Sequence, residues 1–285
     1  MKISVYITSY NQKSYLKEAI DSVLGQTLLP FEIWIVDDAS TDGSQELIAN
    51  YCNKFPELIK SYNNTVNRGI TYCRNKALSL VNGDYISWLD GDDIYLPKKL
   101  EVQATLVKNT GANLVYTNYY YSKKDILNIY QIWCSNRNEL PKTKNIFAYV
   151  MAREFPRSNL FRYELVEAKL LKSISGYDEN LKIYEDFDFR IRLSEYATTA
   201  YSLEPLSIYR VHGEGLSNAK KELHSDSLNY IFKKYEEKIL ELPPAEIAMI
   251  KKNMNDFLLR FMAEKTVEPT LIHRIKRKLI RIFNS

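Results

Sequence analysis

Asp84-Tyr85-Ile86-Ser87-Trp88-Leu89-Asp90-Gly91-Asp92-Asp93 reads as a short apolar strand that ends in three carboxylates set around one glycine. A buried strand that stops this way delivers acidic oxygens to the carboxyl edge of a sheet, where open α/β sheets bind their ligands. Crowded carboxylates repel one another unless a cation neutralises them. Mg²⁺ and Mn²⁺ are hard ions that share their shells between one or two carboxylates and substrate phosphates. An isolated Asp-x-Asp is equally often a solvated turn, so the surrounding chain must decide between the two readings.

Upstream, strand-like and helix-like segments alternate. Ile3–Thr8 reads as a buried strand, and from Ser14 the residues Leu16, Ala19, Ile20 and Val23 recur at helical spacing. Phe31–Val36 is a second strand and Gly43–Lys54 a helix; Ile59–Tyr62 is a weaker strand, Ile70–Val81 a helix and Tyr85–Leu89 the fourth strand. Such alternation implies βαβ units and a mostly parallel sheet. Downstream, Pro97 opens a helix reaching about Lys108, Asn113–Tyr121 is strand-like, and Lys123–Pro156 looks irregular. Glu185–Tyr196 reads as a helix, Ala200–Val211 as a strand running into a loop, and the chain from Lys221 is helical in composition.

Two parallel strands beside the fourth would bring further polar groups to the same edge. Val36-Asp37-Asp38-Ala39-Ser40-Thr41-Asp42-Gly43-Ser44 closes the second strand, and Thr8-Ser9-Tyr10-Asn11 closes the first. A carboxylate there can accept a nucleobase N–H while a tyrosine ring covers the base. Helix capping accounts for Ser40 to Asp42 without requiring the Asp37-Asp38 pair.

Together with Asn67-Arg68-Gly69, these stretches resemble family 2 glycosyltransferases with the GT-A fold, over approximately residues 1–215. The resemblance implies an α/β Rossmann-like sheet flanked by helices and an inverting transfer of one sugar from a nucleotide-sugar donor, a UDP-sugar being expected. It assigns Thr8, Tyr10 and Asp38 to the base, Asp90 to the ribose, and Asp92 to Mn²⁺ or Mg²⁺, with Asp93 close by. Arg74, and secondarily Arg68, lie where a planar guanidinium would reach ribose or diphosphate; a salt bridge to a nearby carboxylate is the competing reading. Gly176-Tyr177-Asp178-Glu179 and Tyr184-Glu185-Asp186-Phe187-Asp188-Phe189-Arg190 resemble the family's catalytic-acid segment, which makes Asp186 the expected general base. Glu185 competes for that role, because adjacent helical side chains diverge by about 100° and only one can face a site. His212 resembles a late family histidine near the metal and diphosphate.

Apolar residues make up 45% and charged residues 26% of the 285-residue chain, as in globular proteins with a full core. A net charge of +4 is too small to argue for nucleic acid, and three cysteines without Cys-x-x-Cys spacing oppose a disulfide framework or zinc site. With no apolar run near the roughly 20 residues of a membrane span, the expected location is cytoplasmic, peripheral to the membrane at most. Residues 1–110 are expected to hold the nucleotide sugar, residues 111–220 to supply acceptor and catalytic groups, and residues 221–285 to form a helical extension. That extension ends in a basic amphipathic stretch over 269–285, suited to an anionic membrane surface, to the catalytic domain or to a second copy. The acceptor expected is a glycan or lipid-linked glycan of bacterial surface polysaccharide synthesis. A sugar nucleotidyltransferase is disfavoured because Thr8-Ser9-Tyr10-Asn11-Gln12-Lys13 lacks glycine; a non-catalytic nucleotide- or carbohydrate-binding relative is the third reading.

Overall fold

The computed structural model describes residues 1–143, 145–212 and 220–262, with side chains to residue 254. Four strands, β1 (Ile3–Ser9), β2 (Glu32–Asp37), β3 (Ile59–Asn63) and β4 (Tyr85–Asp90), pair in parallel. Their crossovers are α1 (Lys13–Leu24), α2 (Ser44–Lys54) and α3 (Ile70–Leu80). Every residue of β1 is buried because helices cover both faces of the sheet, which explains why its sequence is apolar almost throughout rather than alternating.

The second half adds β5 (Ile94–Tyr95), α4 (Lys99–Thr110), β6 (Leu114–Ser122), β7 (Ile129–Ile132) and α5 (Phe147–Met151). It continues with β8 (Arg162–Glu167), α6 (Ala168–Ser173), α7 (Glu185–Tyr196) and β9 (Thr199–Arg210). The sheet order is β3-β2-β1-β4-β8-β6-β9-β5, with β7 paired to β6. Because β8 is antiparallel to both β4 and β6, β6 and its parallel neighbour β9 run with the first four strands. The carboxyl ends of β1, β2, β4 and β9 therefore open on one edge.

The stretch Lys123–Pro156, expected to be irregular, contains β7 and α5. Both are too short for a 2.0- or 3.6-residue period to register. Strand β8 was also not anticipated; a bulge shifts its register against β6 between Val115 and Thr117, which breaks the alternation a strand reading needs.

Beyond β9, α8 (Lys221–Lys234), α9 (Glu236–Leu240) and α10 (Pro244–Met262) form the expected helices. Leu228, Ile231, Phe232 and Ile250 join the same core as Phe187 and Phe189 of α7. Asp188 of α7, fully buried, accepts from Lys234 Nζ and Tyr235 OH, both at 2.8 Å. The start of the extension is thus tied to the helix that carries Asp186. Among the described residues no helix is long and apolar enough to cross a membrane. The basic stretch 269–285 lies outside the described residues.

Candidate active site

The ends of β1 and β2 are knitted together by hydrogen bonds between their loops. Asp37, fully buried, accepts from Ser40 N at 2.8 Å, Ser40 Oγ at 2.5 Å and Gln45 Nε2 at 3.0 Å. Ser40 Oγ in turn receives Asn11 N at 2.8 Å, and Asn11 Oδ1 receives Thr41 N at the same distance. Asp42 accepts from Lys13 N and from Ser44, so it fastens α1 and α2 to the same loop pair. Asp37 is therefore a scaffold carboxylate.

Asp38 turns the other way. Its Oδ1 accepts from Asn64 Nδ2 at 2.7 Å and Arg68 N at 2.8 Å, while Oδ2 accepts from Gly69 N at 2.7 Å. A carboxylate oxygen has two lone pairs, so Oδ2 keeps acceptor capacity for a ligand N–H. Thr8 is buried beside it in the sheet, paired with Val36 and Asp90, and Tyr10 is 49% exposed at the rim. Arg68 lays its guanidinium on the Tyr72 ring, 3.8 Å from the centroid.

Gly91 lets the acidic turn after β4 lie against β1. A Cβ there would stand 2.9 Å from Thr8 O and 2.7 Å from Gln12 Oε1, and its N–H donates to Thr8 O at 2.9 Å. The three carboxylates around it have different fates. Asp93 is almost fully buried; it accepts from Tyr163 OH and from Arg210 N, which ties the end of β9 to the turn. Asp92 Oδ2 stands 2.8 Å from His212 Nε2, two residues past β9. The Tyr15 ring of α1 stacks on that imidazole at 5.4 Å, and the Arg210 guanidinium lies over Tyr15, 4.5 Å from its centroid. Burial, reinforced by Asp90, pushes the Asp92 carboxyl above the usual range, while His212 opposes the rise. Asp90 itself is salt-bridged to Arg74 at 2.9 Å.

Arg74 is buried and does not lie on the surface. One nitrogen holds Asp90 and another holds Glu185 of α7 at 2.6 Å, so this residue bolts the start of α7 to the end of β4. Its Nε is buried with no hydrogen-bond partner among the described residues. Below it Tyr177 stacks on Phe189 at 3.8 Å and its hydroxyl meets Tyr6 OH at 3.0 Å.

At the start of α7 the two adjacent acids diverge as helix geometry requires. Glu185 is buried against Arg74; burial, opposed by Arg74 and aided by Asp186, pushes its carboxyl up to about 7. The Asp186 side chain is 35% exposed and held by Arg190 Nη1 at 2.6 Å. Burial works to raise it, but Arg190, Arg74, Arg162 and Arg153 prevail and hold it well below the usual carboxylate range. Arg190 also forks onto the fully buried Glu164 of β8, with Nη2 to Oε2 at 3.2 Å.

Of the residues singled out in the sequence, Asp90, Arg74 and Glu185 form one bonded chain, Asp92 and His212 a pair, and Asp38 a separate station at the β2 end. The sequence assigns no role to Glu164, Arg162, Arg153 or Tyr15, nor to Arg190, which closes the family-like stretch at the start of α7. Only Arg190 carried a local signal, four residues after Asp186 on one helix face.

The sequence profile described as Glycosyl transferase family 2 matches residues 4–168, more than half of the chain. The chain belongs to glycosyltransferase family 2. It is 27% identical over 261 residues to the uncharacterized glycosyltransferase RP339 of Rickettsia prowazekii, spanning 90% of this chain and 77% of the relative. It is 35% identical over 123 residues to the putative teichuronic acid biosynthesis glycosyltransferase TuaG of Bacillus subtilis, covering 43% of this chain and 48% of TuaG. Among solved structures, S. aureus TarS 1-349 in complex with UDP-GlcNAc superposes with a TM-score of 0.65 at 22% identity, over 93% of this chain and 74% of that one. That likeness speaks for the fold, a GT-A glycosyltransferase sheet.

Proposed function

We propose that this enzyme transfers one sugar from a UDP-sugar to a hydroxyl of a glycan or lipid-linked glycan, with inversion, in the assembly of a bacterial surface polysaccharide. The observation that carries the reading is the opposition of two acidic stations joined by one arginine. On one side Asp90, Asp92 and His212 gather at the ends of β4 and β9; on the other the half-buried Asp186 lies in the first turn of α7; Arg74 spans from Asp90 to Glu185.

In this reading Asp38 Oδ2 accepts the base N–H and Tyr10 covers the base, while Thr8 packs behind them. Asp90 faces the ribose, held in place by Arg74. Asp92 and His212 suit Mn²⁺ or Mg²⁺, because an oxygen and an imidazole ligand leave most of the shell to phosphates and water. When bound, such an ion neutralises charge on the departing diphosphate. Asp186 takes the acceptor hydroxyl's proton, and its four surrounding arginines keep it ionised over the working pH range. Glu185, buried against Arg74, positions the helix rather than the proton. The UDP-GlcNAc bound by the TarS structure and the teichuronic acid named for TuaG support the donor and polymer classes.

A thermal-shift screen of nucleotide sugars with and without Mn²⁺ tests this directly, since a ligand that binds only the folded state raises stability by mass action. UDP-sugars should raise the midpoint more in Mn²⁺ than in EDTA. A response confined to another nucleotide would displace the UDP assignment, and an equal response in EDTA the metal.

A further inference from the structure

The carboxylates around Asp186 are already paired, yet one more arginine stands beside them. Glu164 and Asp186 both bind Arg190. Arg162, two residues before Glu164 on β8, makes no ion pair among the described residues; it lays its guanidinium on the ring of Tyr209, 3.9 Å from the centroid. It is half-buried, and the nearby Asp186 is already shared with Arg190 and Arg153, so the three arginines Arg153, Arg162 and Arg190 around the two carboxylates Glu164 and Asp186 leave one positive charge in excess that an anion would balance. Tyr209, on β9 one residue before Arg210, brings that charge to the edge where β9 delivers His212. Arg153 approaches from the next loop, its Nε donating to Ser158 O at 3.1 Å and its guanidinium 5.2 Å from the Phe187 ring, next to Asp186 in sequence.

The backbone here is strained, an independent sign of function. Tyr163, which follows Arg162, has φ 55°, and Arg153, Arg157 and Ser158 have φ 50°, 61° and 55°. Bulky residues rarely adopt the left-handed region, each instance costs about 1–3 kcal/mol, and such residues cluster at ligand clamps. At the bulge in β8 this turn sends Tyr163 to Asp93 and leaves Arg162 on Tyr209.

We propose that Arg162, with Arg153 beside it, forms an oxyanion-binding site for a phosphate or carboxylate group of the acceptor, adjoining the hydroxyl that Asp186 deprotonates. The proposal rests on the reading of Asp186 as the acceptor-facing base. A planar fork seated on an aromatic ring is preorganised for two parallel hydrogen bonds to such an anion. The acceptor would then be a charged glycan, and neutral sugars would lack its anchor.

Glycerol 3-phosphate and glycerol serve as charged and neutral probes, followed by ligand-observed NMR on the full chain saturated with UDP and Mn²⁺. The phosphate ester should bind and glycerol should not. Arg162→Gln should weaken the ester about tenfold or more, as expected for a charged hydrogen bond; Arg162→Lys should retain part of the binding, and Arg153→Gln should weaken it less. UDP affinity by calorimetry should be unchanged in all three. The proposal is overturned if the ester binds Arg162→Gln as well as wild type, or fails to bind once UDP is present. Loss of UDP affinity in Arg162→Gln would assign the charge to the donor diphosphate and also overturn it. If Arg162→Gln does not fold, the lysine variant decides, since equal binding of ester and glycerol by it defeats the idea. Absence of UDP binding by the wild type would instead strike the donor reading.

Discussion

The proposed donor-side and acceptor-side stations satisfy their carboxylates in opposite ways. At the ends of β1 and β2, Asp37, Asp38 and Asp42 accept from backbone N–H groups, hydroxyls and amides of neighbouring loops. Around α7, Glu164, Glu185, Asp186 and Asp188 are held by charged side chains, Arg190, Arg74, Arg192 and Lys234. Neutral donors fix the geometry of these carboxylates without cancelling their charge, which suits the proposed acceptance of a base N–H by Asp38. Paired charges set protonation, which suits a station that must hold a base ionised. The difference also means that the two stations should fail differently when broken.

The largest contrast concerns chemistry. Asp186→Asn should leave donor affinity and fold intact and slow transfer by about 10²–10⁴-fold, the usual worth of a positioned base. Transfer assays beside calorimetric UDP titrations read both quantities, and near-wild-type transfer with an inactive Glu185→Gln would move the base by one residue.

Next comes stability. Arg190→Met removes the partner of a fully buried Glu164 and frees Asp186, leaving an uncompensated buried charge that costs about 3–5 kcal/mol. Urea denaturation should register that loss, whereas a change under 1 kcal/mol would mean that the acceptor side is not held by charge pairing.

Glu185 sharpens the comparison through pH. Its folded pKa of about 7 lies above the usual 4.5, so between those values the folded state binds more protons than the unfolded chain. Its contribution to stability is therefore present below 4.5 and is lost as pH rises through about 7, on the order of 3 kcal/mol in all. Glu185→Gln should flatten that fall in denaturation curves at pH 5 and pH 8; an unchanged slope would exclude Glu185 as its source.

The mildest effect belongs to the donor side. Asp38→Asn trades a carboxylate that receives three hydrogen bonds for an amide that cannot accept them all, a loss of about 1–3 kcal/mol. UDP affinity should fall roughly tenfold while binding of pyrophosphate is unaltered. Equal weakening of both would place Asp38 away from the base.

The same contrast explains what could be read before the fold was known. On the donor side some partners lie within a single loop, Ser40 three residues from Asp37 and Ser44 two from Asp42, whereas Asn64, Arg68 and Gly69 reach Asp38 from 26 to 31 residues away. Strand and helix periods there are long and regular, so the parallel half and the helix Glu185–Tyr196 were legible. The acceptor-side partners are joined across the fold, Arg74 to Glu185 over 111 residues and Arg190 to Glu164 over 26, and spacing carries no trace of such pairs. Arg162 was silent for a further reason. Its role depends on a bulge and on a left-handed Tyr163, neither of which a hydrophobic pattern encodes.

The central claim is that Asp186 drives a single displacement across the cleft from the diphosphate. Proton NMR of the first-formed product, using the α-linked UDP-sugar found by thermal shift, measures the coupling at the new anomeric centre. A β-linked product is expected from wild type, formed about 10²–10⁴-fold more slowly by Asp186→Asn under the same conditions. An α-linked product would require two displacements or front-face attack and would contradict the account.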